Sequence, residues 1–143
     1  MHTSNKSQRS FVEPNVSIHT KLAALWTSLM FLIIYLDYFH LYMPHKLEDI
    51  MNGRVYVFAI SPGFLVAALA MVATPALMIF LSVVLPAKAN RLTNLLMASI
   101  NIPLILYNLA GEAWLHMIIG AMIQVTLLGF IIGYAWKWPR AKI

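Results

Sequence analysis

The sequence predicts an all-α integral membrane protein, a four-transmembrane-helix bundle with a short external amphipathic segment between the first two helices. Three observations predict this class. Hydrophobic residues make up 61% of the 143-residue chain and charged residues only 10%, against about 25% charged in soluble proteins. Four apolar runs are each 19 to 24 residues long, close to the ~20 residues that cross a hydrocarbon core. The basic residues lie at the edges of these runs.

The predicted segments follow one another along the chain. Residues 1–20 are polar, and we expect them to form a mobile tail. The membrane domain is 21–138, with spans at 22–43, 62–85, 92–110 and 113–136, and residues 139–143 form a basic tail. A cleaved signal peptide is the alternative for the first run, but the run is too long and no small-residue cleavage site follows it.

Turn and cap residues delimit the second span and the loop before it. Ser61 is predicted to cap the second span, with Pro62 at its first helical position. In the loop, Pro44 is predicted to begin a short helix that ends at a left-handed Gly53. The apolar face of this helix, which includes Leu47, is expected to rest on the membrane surface. Residues 54–58 are either extended or lead directly into the second span.

The distribution of Lys and Arg predicts the orientation. Eight of the ten basic residues flank the two termini and the loop between the second and third spans, and only two lie in the first loop. Because Lys and Arg are enriched in cytoplasmic loops, both termini are expected in the cytoplasm.

Composition also limits the possible partners and chemistry. The net charge of +5 comes without a basic stripe interleaved with aromatic residues, so we expect the partner to be the lipid bilayer and not a nucleic acid. The chain has no cysteine, which excludes disulfides and thiolate metal sites. No nucleotide-binding loop, nucleophile elbow or zinc-protease helix motif is present, so catalysis and cofactors are not predicted.

Two pairs of ionisable residues lie within or beside the apolar runs and form the candidate polar cluster. Asp37 and His40 are three residues apart, and Glu112 and His116 are four apart, so each pair shares one helix face. Both pairs are expected near the external surface, where they would meet if the first and fourth spans are neighbours. The pairs could simply stabilise each other, form an ion or proton relay, or bind a metal or haem.

The third span carries three asparagines at seven-residue intervals, and the fourth carries a glutamine: Asn94, Asn101, Asn108 and Gln124. Within a membrane these amides are expected either to form hydrogen bonds between helices or to line a polar path for a solute.

Small and aromatic residues point to helix contacts and to the interfaces of the membrane. Gly129 and Gly133 form a GxxxG motif that would allow close helix packing within the chain, with a second copy of it or with a partner membrane subunit. The four tryptophans lie near span ends, as interface anchors do: Trp26, Trp114, Trp136 and Trp138.

Several short segments resemble a family of small bacterial four-helix membrane proteins of unknown function. They are KLAALW (21–26), residues 35–37, SPGFL (61–65), ANRLTN (89–94) and GYAWKWP (133–139). The resemblance implies a bacterial cytoplasmic membrane and no particular activity. It also implies acidic residues in the second and fourth spans, where this chain has Ala73 and Gln124, whereas Asp37 matches the pattern.

The sequence therefore favours a multi-pass membrane protein that is an accessory or interaction subunit. The alternatives are a small transporter or channel that uses the outer Asp/His/Glu cluster, and a membrane-embedded metal or haem protein.

Overall fold

The computed structural model describes residues 15–110 and 113–139. Helices dominate the described chain, and four of them are long. In order, the elements are α1 (Ile18–His40), α2 (Lys46–Met51), β1 (Arg54–Val55), β2 (Phe58–Ala59), α3 (Pro62–Val84), α4 (Ala87–Asn108) and α5 (Leu115–Trp136). Pro75 and Pro103 lie inside α3 and α4, and both helices continue through them.

Short polar side chains begin two of the long helices. The Oγ atom of Ser17 accepts a hydrogen bond from the Thr20 backbone N–H at the start of α1. The Oγ atom of Ser61 accepts one from Phe64 N–H at 3.2 Å, with Pro62 at the first helical position. The predicted start of the second span is confirmed.

The helix boundaries differ from the apolar runs mainly at the two ends of α1 and at the start of α4. α1 begins four residues before the predicted span and ends at His40, and α4 begins five residues before its predicted start. Helix formation extends into polar flanks because the backbone hydrogen bonds of a helix do not depend on apolar side chains.

A small cap follows α1 and consists of α2 and a two-stranded antiparallel hairpin. Gly53 has a φ of 75°, so its predicted left-handed conformation is confirmed. Arg54 pairs with Ala59 and Val55 with Phe58, so the segment after Gly53 forms two short extended strands joined by a turn at Tyr56, whose φ is 53°. On α2, Leu47 and Met51 are exposed.

The long helices alternate in direction and pack against one another. α1 packs against α3 and α5, and α4 packs extensively against α5 and less against α3. His19 contacts Ser82, Asn90 and Trp138. The start of α1, the end of α3, the start of α4 and the end of α5 therefore lie together, and we call this the tail end. The opposite end, with α2 and the hairpin, is the hairpin end.

The core lies between the long helices, and much of the outer surface is apolar. Leu22, Leu29, Met78, Leu128 and Ile131 are almost completely buried. Large apolar side chains cover the outside, among them Phe31, Leu69, Phe80, Met122 and Phe130. Such a surface is stable in contact with lipid and not with water.

Three of the described helices are long and apolar enough to cross a membrane: α1, α3 and α5. α4 is equally long but less apolar because it carries several asparagines. The chain is therefore a multi-pass membrane protein.

Candidate functional sites at the two ends of the molecule

The inward face of α4 is polar near the tail end. Its buried residues are Asn90, Asn94, Ala98, Asn101 and Ile105. These positions recur every three or four residues, so they lie on one side of the helix.

Asn94 connects three helices through its side-chain amide. Trp26 of α1 donates its indole N–H to the Asn94 Oδ1 atom at 2.7 Å, and the Ser82 hydroxyl of α3 donates to the same atom at 3.4 Å. The Asn94 Nδ2 atom donates to the backbone carbonyl of Asn90 and to its Oδ1 atom. Because all four side chains are fully buried, each of these bonds forms in a region of low dielectric constant, where losing one is costly.

His19 extends this network to the tail-end surface. The Asn90 Nδ2 atom lies 2.6 Å from the Ser82 carbonyl oxygen and 2.9 Å from the His19 Nδ1 atom. That Nδ1 atom is also 2.9 Å from the Ser82 carbonyl oxygen. One ring nitrogen cannot donate and accept at once. The tautomer protonated at Nε2 accepts from Asn90, whereas the tautomer protonated at Nδ1 donates to Ser82.

The predicted asparagine stripe is present in part. Asn94, Asn101 and Gln124 are buried, but Asn108 is exposed at the end of α4. Asn108 is the last residue of α4 and follows the last buried residue of that helix, Ile105, so it is exposed because it lies at the helix end.

Sequence reasoning missed most members of the hydrogen-bond network around Asn94. His19, Ser82 and Asn90 were not among the predicted site residues, and Trp26 is a buried core residue, not an interface anchor. The available signal was Asn90 itself, one helical turn before Asn94.

The described members of the candidate polar cluster, Asp37, His40 and His116, lie at the hairpin end, where α1 and α5 are neighbours. Asp37 is exposed in the last turn of α1. His40 lies under the cap, with its Nδ1 atom 3.5 Å from the Tyr56 hydroxyl. His116 begins α5, and its Nε2 atom is buried without a hydrogen-bond partner in the described chain. Glu112 lies outside the described residues.

The structure therefore places the described members of this cluster in different surroundings. No group of three His, Asp or Glu side chains within 15–110 and 113–139 is arranged to hold a metal ion.

Aromatic and basic side chains pack together in the cap. Lys46 is only 8% exposed, and its Nζ atom lies 4.6 Å from the centroid of the Tyr56 ring. The ring centroids of Tyr56 and His40 are 5.0 Å apart, so the hairpin is anchored on the end of α1. Nearby, the hydrogen bond with the Tyr38 hydroxyl raises the pKa of Tyr42 above its ordinary value.

The glycines of α5 have two different environments. A Cβ atom on Gly120 would lie 2.6 Å from both methyl carbons of Leu36, so α1 and α5 approach closely at this residue. A Cβ atom on Gly129 or Gly133 would have nothing within 4 Å. The GxxxG motif is therefore not used for packing among the described helices.

The chain belongs to DUF6326, a family of unknown function, whose sequence profile matches residues 11–143. No curated protein and no solved structure matches this chain.

Proposed function

We propose that this DUF6326 member is a four-span protein of the bacterial cytoplasmic membrane, with both termini in the cytoplasm. We further propose that it is an accessory or interaction subunit that binds a transmembrane helix through the outward face of α5. That helix belongs to a second copy of the chain or to a partner membrane subunit.

The burial of its asparagines supports α4 as a membrane span in addition to α1, α3 and α5, in the position of the predicted third span. Asn90, Asn94 and Asn101 face other helices and not the surroundings, so lipid would meet the apolar side chains of α4. Among these, Leu92, Leu96 and Ile100 are each at least half exposed. Mean hydropathy averages all faces of a helix, and therefore understates how apolar the outer face of α4 is.

The separation of charges supports the orientation. The tail end carries Lys21, Lys88, Arg91 and Lys137, and the hairpin end carries Lys46 and Arg54. A tail end in the cytoplasm agrees with the enrichment of basic residues on that side of a membrane.

The main support for the proposed interaction is the open surface around Gly129 and Gly133. Met122, Thr126 and Gly129 are exposed and lie opposite the buried face of α5, which includes Gln124 and Leu128. Small residues let two transmembrane helices approach closely enough for extensive van der Waals contact. An apolar groove between α4 and α5, lined in part by Met122 and Thr126, borders this surface.

Disulfide cross-linking tests this proposal cleanly because the chain has no native cysteine. We expect Thr126→Cys to form a covalent dimer, or an adduct with another membrane protein, when membranes are oxidised. Leu77→Cys, on the exposed face of α3, is the matched control and should stay monomeric. Adding Gly129→Leu and Gly133→Leu should reduce the Thr126→Cys adduct at least severalfold. A yield of cross-linked product from Thr126→Cys no higher than that from Leu77→Cys would contradict the proposal.

The buried His116 Nε2 atom, which has no hydrogen-bond partner among residues 15–110 and 113–139, favours a second candidate, proton or ion passage at the hairpin end. A buried ring nitrogen without a partner costs about 1–3 kcal/mol, and sites that move protons retain such groups. In liposomes, His116→Gln and Asp37→Asn should each abolish the flux, whereas His45→Gln, in the exposed cap, should not. Flux no greater than in protein-free liposomes would exclude this candidate.

A further inference from the structure

Charge is divided unequally between the two ends of the molecule. Four basic side chains lie at the tail end: Lys21, Lys88, Arg91 and Lys137. Every described Asp and Glu belongs instead to the hairpin end, in α2 or in the last turn of α1. The basic residues of the tail end therefore have no acidic partner within 15–110 and 113–139.

Two of these basic side chains lie over aromatic rings on opposite flanks of α5. The Lys21 Nζ atom lies 5.5 Å from the centroid of the Tyr134 ring, and the Arg91 Cζ atom lies 5.9 Å from that of Trp136. Tyr and Trp concentrate at the headgroup level of a bilayer, so these pairs mark the depth at which the tail end leaves the hydrocarbon.

Arg91 is the more firmly positioned of the two. Its Nε atom donates a hydrogen bond to the backbone carbonyl of Ala135 at 3.2 Å, and the side chain is half-buried between α4 and α5. The N–H groups on its two Nη atoms have no partner in the described part of the chain. A guanidinium held in this way presents a planar fork that matches two oxygens of a phosphate group.

Two exposed lysines lie at the same end of the molecule as this fork. Lys88 lies three residues before Arg91 on the same face of α4, and Lys137 directly follows Trp136. Neither lysine side chain forms a hydrogen bond or an ion pair with a described residue, so both ammonium groups are available to a ligand. The seam between α4 and α5 thus holds a fixed guanidinium and an indole ring, and two exposed ammonium groups lie at the same end of the molecule.

We propose that this seam binds the headgroup of an anionic phospholipid, with the lipid phosphate on the Arg91 Nη atoms. Lys88 and Lys137 attract the negative charge, and the Trp136 ring lies beside the upper part of the acyl chains. The proposal rests on the membrane assignment but not on the partner helix at α5. Free inorganic phosphate could bind Arg91 in the same way as the lipid phosphate. It has no acyl chain, however, and so cannot make the contact with the Trp136 ring.

Native mass spectrometry of the full chain in neutral detergent tests this. Phosphatidylglycerol should bind at least tenfold more tightly than phosphatidylcholine. Arg91→Gln should lower the phosphatidylglycerol affinity by about fivefold, the effect of one basic residue near an anionic surface. Arg54→Gln, at the hairpin end, should not change it. Equal binding of the two lipids, or displacement of phosphatidylglycerol by an equal concentration of inorganic phosphate, would overturn the proposal.

Arg91→Gln also removes the hydrogen bond to the Ala135 carbonyl, so it could affect folding as well as lipid binding. A second variant separates the two effects. The double variant Lys88→Gln, Lys137→Gln removes no intramolecular contact, so its thermal midpoint in phosphatidylcholine should equal that of the wild type. The ratio of its affinity for phosphatidylglycerol to its affinity for phosphatidylcholine should nevertheless fall by about tenfold or more. An unchanged preference in this double variant would overturn the proposal.

Discussion

Asn94 is the residue at which α1, α3 and α4 are joined by hydrogen bonds. Its Oδ1 atom accepts from Trp26 and Ser82, and its Nδ2 atom donates to Asn90. In the interior of a membrane protein an unsatisfied indole N–H has no water to bond with. Replacing Asn94 therefore removes one partner and leaves several others unpaired.

Asn94→Leu should lower the free energy of unfolding by about 1–2 kcal/mol, the upper range for hydrogen bonds between membrane helices. The measurement is the thermal midpoint of the detergent-solubilised protein. Asn108→Leu is the matched control, since Asn108 is exposed on the same helix and should leave the midpoint unchanged. Equal effects of the two variants would show that the network contributes nothing particular to stability.

Single residues were predictable where their chemistry limits the alternatives. Ser61 before Pro62 is a strong helix-start signal, and the structure has that cap. Trp26 was not predictable in the same way. A tryptophan near a span end suits both the membrane interface and a buried hydrogen bond, and only the presence of Asn94 68 residues later decides between them.

At the scale of elements, α5 is the helix with the most varied surroundings. Its Gly120 face packs tightly on α1, its other flank packs against α4, and its Gly129 face packs against nothing described. The sequence identified the Gly129–Gly133 motif but not the role of Gly120. Close packing at Gly120 depends on Leu36 of a different helix, which no local pattern reveals.

Gly120→Ala should lower the free energy of unfolding by about 0.5–1.5 kcal/mol, because the new methyl group overlaps the end of the Leu36 side chain and forces it out of its preferred rotamer. Gly129→Ala, in open space, should not lower the stability of the monomer. Chemical denaturation in mild detergent measures both variants. A Gly120→Ala protein as stable as Gly129→Ala would show that the approach of these two helices is looser than described.

Helix α4 illustrates what averaging along a sequence conceals. Its asparagines make it the least apolar of the four long helices. Three of them, Asn90, Asn94 and Asn101, are nevertheless buried. The existence of the helix follows from its apolar residues and from the proline before it. Which face is polar depends on packing against α1 and α3.

At the scale of the whole molecule, the arrangement of charges and the direction of the helices agree. The four long helices alternate, so the tail end collects both polar termini of the membrane domain and the α3–α4 connection. Most basic residues lie in these same segments. The sequence predicted this organisation because topology depends on flanking charges, whereas the convergence of Asp37, His40, Glu112 and His116 depends on side-chain packing and stays a prediction.

The most direct test of the account is whether α4 crosses the bilayer, and single cysteines in this cysteine-free chain can measure it. Lys88→Cys, in the first turn of α4, and Ala110→Cys, just after its end, should react with a membrane-impermeant maleimide from opposite sides. Ala110→Cys should label in intact cells together with Val57→Cys in the hairpin, and Lys88→Cys should label only after permeabilisation. Labelling of Lys88→Cys and Ala110→Cys from the same side would contradict the four-span account.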